Sequence, residues 1–188
     1  MAFDHASVVE STESLNESDT LSRESTTEIQ FLQLYLDSNL PVLLPVHQLI
    51  EIITIPLGQI VPIFHMPAWV MGVYNCRGEV LWMIDLNHLL GLTPWYQQVE
   101  YGSKHTAIIL KVYAQDGQSG DEKEPVLGLV VNRAEGMISC HLDAIKREFE
   151  WSNITSKLKP FLQGYWQDSM DKSHLILNGA AIMQAMPT

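Results

Sequence analysis

Apolar residues along this chain fall into short alternating or unbroken runs, a pattern that predicts a mainly β domain with brief helices. Leu32, Leu34 and Leu36 alternate with Gln33 and Tyr35, the signature of a half-buried strand over residues 29–36. Asp37, Ser38 and Asn39 form a turn cluster, and a second strand is expected over 41–46. Pro41 and Pro45 lack an N–H, which confines that strand to a sheet edge or an irregular ladder. Residues 47–52 can form a short helix, and a third strand is expected near 59–64, leading through Pro67 into the segment 71–92, MGVYNCRGEVLWMIDLNHLLGL. There the pattern reads strand, turn, strand, short helix. Residues 73–75 are apolar or aromatic, Cys76-Arg77-Gly78-Glu79 is a turn in which Gly78 can take φ > 0, and 80–84 is an unbroken apolar run needing cover on both faces. Asp85 stands at a helix N-cap and Gly91 at the matching C-cap. The result is a charged Arg-Gly turn held on a rigid hairpin.

The second half repeats this theme. Residues 106–112 and 126–132 are β-branched apolar runs joined by AQDGQSGDEKEP, whose glycines and charges mark an exposed hairpin loop. A strand follows over 136–140, and 143–151 fits helix or loop equally well. Pro160 requires any helix in 157–163 to begin at the proline. Residues 175–177 form a last strand, Asn178 an N-cap, and 180–186 a terminal helix. Both halves thus end as strand, capping Asp or Asn, and short helix, which points to two similar β-subdomains.

Composition narrows the function classes. The 188 residues are 46% hydrophobic, enough for a sizeable core, and the formal net charge is −11. No Lys/Arg stripe is present, so the phosphate neutralisation behind nucleic-acid or anionic-lipid binding is missing. Residues 1–28 carry seven acids against Arg23, a net −6 in a Ser/Thr-rich stretch too poor in apolar surface to offset its ordering entropy. We therefore expect a disordered acidic tail over 1–28 and one domain over 29–188. Cys76 and Cys140 suggest reduced thiols rather than a disulfide framework. The polar N-terminus is unlike a signal peptide, and no apolar run nears the roughly 20 residues that span a bilayer. A cytoplasmic protein without membrane insertion is the expectation.

Motifs of phosphate binding, dinucleotide binding, zinc proteolysis and serine hydrolysis are missing, so no enzyme and no cofactor are expected. The seven histidines never take the i, i+4 spacing of a helical metal pair, leaving only ligand sets assembled through the fold. Asp85 fits a cap better than a catalytic acid. Arg77 is either a solvated turn residue or a guanidinium fork that meets a partner carboxylate or an acid of this chain such as Glu51. Of the five tryptophans, most suit a core, while Trp82 could also serve as an exposed anchor.

Gly72, Asn75, Arg77, Gly78, Asp85 and Leu86 together make G-x-x-N-x-R-G-x-x-x-x-x-x-D-L, which resembles the signature of the CheW-like domain family, adaptors of bacterial chemotaxis and related motility pathways. Residues 29–36 resemble the family's first strand, 49–52 its V-x-E-I helix, 66–70 its Pro-containing segment, 128–134 its G-x-x-V-D-x-V, and 162–182 its closing strand and helix. The chain departs from the pattern at Cys76 (usually Leu), Trp82 (usually Pro) and Ile53 (often Arg). Asn132 and Asn178 stand where Asp is common. The resemblance implies two small five-stranded SH3-like β-barrel subdomains sharing a hydrophobic interface, with interleaved chain ends and short helices.

It also implies a function. One subdomain would pair with the regulatory domain of a CheA-like histidine kinase, and the groove between subdomains would take the cytoplasmic tip of a methyl-accepting chemoreceptor. The adaptor would serve chemotaxis, phototaxis or pilus motility. Leu49, Glu51, Gly72, Asn75 and Arg77 are the partner-site residues by that match, while Gly78 and Asp85 build the hairpin. A ligand-binding or catalytic β-barrel sharing only the fold is the alternative from a different class.

Overall fold

A computed structural model describes residues 27–37, 40–98, 104–111, 125–148 and 154–187. In chain order its strands are β1 (Glu28–Leu36), β2 (Leu40–Pro45), β3 (Leu49–Pro56), β4 (Val70–Cys76), β5 (Glu79–Asp85), β6 (Lys104–Lys111), β7 (Val126–Val131), β8 (Arg133–His141), β9 (Leu162–Gln167) and β10 (Ser173–Leu177). Helix α1 (Leu86–Leu89) follows β5, and α2 (Gly179–Gln184) follows β10.

The strands form two five-stranded sheets, ordered β8-β1-β2-β10-β9 and β3-β6-β7-β5-β4. Taken place for place, the pairings agree: antiparallel, antiparallel, parallel, antiparallel in each. The chain enters the first sheet with β1 and β2, builds the whole of the second, then returns with β8 to β10. Each sheet thus carries an equivalent hairpin, β4–β5 or β9–β10, whose second strand leads into a capped helix. Asp85 accepts from the His88 N–H at 3.1 Å, and Asn178 from the Ala181 N–H at 3.1 Å. Gly91, at φ 75°, ends the α1 turn.

Three apolar layers explain why so many strands read as unbroken apolar runs. Alternate residues of one strand face different cores. Leu34, Val42, Leu44, Ile108, Leu110, Leu127, Leu129, Leu175 and Leu177 meet in a central layer shared by both sheets. Their strand neighbours point away, Phe31, Leu43 and Ile176 into a core of the first sheet, and Leu81, Met83, Ala107, Ile109 and Val130 into a core of the second. Strand β5 follows this rule only in part, because Val80 at its start is 67% exposed.

Several expectations need correction. Residues 49–56 form strand β3, and only Val46–Gln48 makes a 3-10 turn. Ile50, Ile52, Ile53, Thr54 and Ile55 are β-branched, and a pleated edge suits them better than a one-turn helix. The strand expected near 59–64 is a 3-10 turn, Leu57–Gln59, followed by irregular chain with a single bridge between Val61 and Val73. Strand β2 lies inside its sheet despite two prolines. It satisfies them with a short ladder, since its parallel pairing with β10 uses only Val42 and Leu43, between Pro41 and Pro45. Strand β9 was not anticipated. Of the segment 143–151, the described part makes a 3-10 turn at Leu142–Ala144 and a bridge from Lys146 to Tyr165. The tail over 1–26, the connector over 112–124 and Trp151 lie outside the described residues.

Candidate functional site

Hairpin β4–β5 closes through two residues, Arg77 at φ 53° and Gly78 at φ 89°. Two consecutive positive φ values match the right-handed twist of the flanking strands, the geometry that two-residue hairpins favour. Asn75 completes the turn, its Oδ1 accepting from the Gly78 N–H at 3.0 Å. Held this way, Arg77 projects from the hairpin tip with its side chain 78% exposed and donates from Nη2 to Glu51 Oε2 at 2.9 Å. Glu51 sits on β3, an outer strand of the sheet, and Arg77 sits beside the other outer strand, β4. The ion pair therefore spans the two ends of one five-stranded sheet. Arg77 is thus largely solvated and at the same time bonded once to an acid of its own chain.

The remaining motif residues are placed in different ways. Leu49 is half-buried against the shared central layer at the start of β3. Gly72 is buried, and a Cβ there would stand 2.1 Å from the Val61 carbonyl oxygen. It permits the close approach that bridges Val61 to Val73. Ile50 and Ile52 of β3 and Val80 of β5 are exposed. These three apolar residues were missed by sequence reasoning, although LIEIITIP holds more apolar side chains than one strand face needs.

A second polar cluster lies where the subdomains meet. Asp85 and Asn87 are each 1% exposed. Asp85 also accepts from the Trp95 N–H at 2.9 Å, so both carboxylate oxygens are engaged by backbone, which supports the cap over a catalytic acid. Burial raises its pKa above the ordinary 3.8, while those N–H groups and His88 pull it back. Burial lowers the pKa of nearby His105, against the pull of the Asp85 charge. Asn87 accepts from the Asp37 N–H at 3.1 Å and donates to Asn132, which donates in turn to Gln98. Thr93 donates to Asp37 at 3.0 Å. The cluster ties the β1–β2 turn, α1 and the end of β7 together. Asn87 was not singled out beforehand, and the sole hint was Asn132 at a position where Asp is common.

The tryptophans divide as well. Trp69 and Trp82 are half-buried against the central layer, so Trp82 is packed and not a free anchor. Trp166 packs on the core of the first sheet and stacks at 5.5 Å on His174. Among the described residues no three His, Cys, Asp or Glu side chains converge to hold a metal. No helix there is long and apolar enough to cross a membrane. The arrangement offers a fixed ion pair and, on the same sheet, exposed Ile50, Ile52 and Val80.

Comparison with known proteins agrees with this architecture. A comparison with the curated proteins returns no match. Among solved structures, the scaffolding protein TtCheW from Thermoanaerobacter tengcongensis matches with a TM-score of 0.63 at 18% identity, over 81% of this chain and 90% of that one. At that identity the likeness speaks for the fold. The family model of the CheW-like domain matches residues 30–186. With the signature hairpin, the paired five-stranded sheets and a match over most of its length, the chain belongs to the family of CheW-like domains.

Proposed function

We propose that this chain is a non-catalytic cytoplasmic adaptor that couples the cytoplasmic tip of a methyl-accepting chemoreceptor to a CheA-like histidine kinase in chemotaxis, phototaxis or pilus-motility signalling. The observation that carries this reading is the Arg77–Glu51 pair, fixed on a two-residue turn. Arg77, Glu51, Leu49, Asn75 and Gly72 form the partner site. An ion pair already formed loses little side-chain entropy on binding, and the exposed Ile50, Ile52 and Val80 of the same sheet supply affinity. Coupling then follows if the contacts differ in free energy between two receptor states, since an adaptor shifts an equilibrium only by its differential affinity. Membership of the CheW-like family and likeness to a scaffolding protein support the same reading.

The test is a titration of the full chain against the regulatory domain of a CheA-like kinase and against a receptor tip from the same cell. Arg77→Ala and Arg77→Glu should each weaken one or both interactions by about tenfold or more. Unchanged binding by both variants would remove Arg77 from the site, and a wild-type chain that binds neither partner would remove the adaptor reading.

A further inference from the structure

The loop between β3 and β4 is not absorbed by the adaptor site. Residues 52–76 contain no Asp, Glu, Lys or Arg. Within that stretch Val61 is 59%, Ile63 41% and Phe64 86% exposed. A solitary exposed apolar residue needs no explanation, but three within four positions of one loop do. The loop is also well pinned. Val61 and Val73 exchange backbone hydrogen bonds at 2.8 and 2.9 Å, the Val70 N–H donates to the Pro67 carbonyl at 2.8 Å, and Pro62 and Pro67 bracket the tip. His65 holds a left-handed φ of 65°, so the tip is a strained turn rather than loose chain. Phe64 is thus presented in advance, as binding anchors are.

Beside it lies an open depression of about 320 Å³, lined by Ile60, Pro62, Ala68, Met71, Trp95 and Tyr96. A cavity of about 150 Å³ already holds a benzene ring. A phenylalanine side chain therefore fits, and the lining is apolar and aromatic. The loop supplies the knob, Phe64 between Pro62 and Ala68, and half of the hole, which Met71 of β4 and Trp95 and Tyr96 after α1 complete. A surface carrying both is complementary to itself about a twofold axis, and no like charges of this stretch would be brought together.

We propose that this loop is a self-association site, in which Phe64 of each of two copies occupies the depression of the other. It goes beyond the adaptor reading: Arg77 lies at the opposite end of β4, although Gly72 packs under this loop. Dimerisation by this face leaves the ion pair open to partners.

The experiment is sedimentation of the full chain from low micromolar to near-millimolar concentration, with Phe64→Ala and Ala68→Trp alone and mixed. The wild type should dimerise with rising concentration. Each variant alone should lose both reciprocal contacts, raising the dimer dissociation constant about tenfold or more. Their mixture should recover association, because the Phe64→Ala copy keeps its depression and the Ala68→Trp copy keeps its phenylalanine. Phe64→Ala should melt as the wild type does, since that side chain buries little in the monomer. A wild type that stays monomeric throughout, or a Phe64→Ala variant that dimerises normally, overturns the proposal. Failure of the mixture to associate when both variants are folded monomers overturns the reciprocal seating. A monomer whose Phe64→Ala form loses kinase or receptor binding would assign the loop to a different protein instead.

Discussion

Arg77 occupies a backbone conformation that costs an L-residue about 1 kcal/mol and that Asn or Gly would adopt more easily. What an arginine adds at that position is reach, and here the reach ends on Glu51. Arg77 is largely exposed, so the pair contributes at most about 1 kcal/mol to folding. Arg77→Ala should therefore leave the thermal midpoint almost unchanged, which a melting curve checks alongside the binding titration. Asp168 presents the opposite case. Its carboxylate accepts from the Lys172 and Met170 N–H groups, each at 2.9 Å, and contacts His174, so its pKa lies below the ordinary 3.8. A carboxylate depressed in the folded state adds stability that is fully present above its unfolded value and is lost as pH falls through the folded one. Asp168→Ala should therefore flatten the acid limb of a stability profile below about pH 3.8, and identical acid limbs would remove Asp168 from that role.

At the scale of elements, the capped turn after β5 does more than end a strand. Asp85 anchors α1 through the His88 N–H and the following loop through the Trp95 N–H. Asp85→Ala leaves both donors without that acceptor and should cost about 1–3 kcal/mol, measurable by denaturant unfolding. This element was legible in the sequence because its signal is local, an apolar run, an Asp and a glycine at helix spacing. Most apolar runs were likewise legible as strands, since each serves two cores and admits few polar residues. What escaped depended on partners distant in sequence. Strand β9, LQGYWQ, carries too few apolar residues to declare itself and is held by β10 and by the bridge to Lys146. Strand β3 resembled a helix over its first residues, and β6 beside it decides otherwise. The prolines of β2 pointed to an edge or an irregular ladder, and the short ladder with β10 is the second of these, a length not written in that segment. The Arg77–Glu51 contact was anticipated as one of two partners, whereas the exposed Ile50, Ile52 and Val80 were not, because exposure depends on which strand ends outermost.

At the scale of the whole molecule, the central layer joins the two sheets into one cooperative body. Leu129 is fully buried within it, and Leu129→Ala should cost about 2–5 kcal/mol. The variant should still unfold in a single transition, with tryptophan fluorescence and far-UV circular dichroism coinciding; separate transitions would mean that the sheets unfold independently. The shared layer also sets how such a molecule can carry a signal. With alternate residues of the same strands committed to inner and central layers, one sheet cannot slide on the other without unseating side chains on both of its faces. On the proposed adaptor reading the molecule would be a strut and not a hinge: bodies gripping its two ends would be held at a set spacing and angle, and any message between them would travel as a change in how they lean on it.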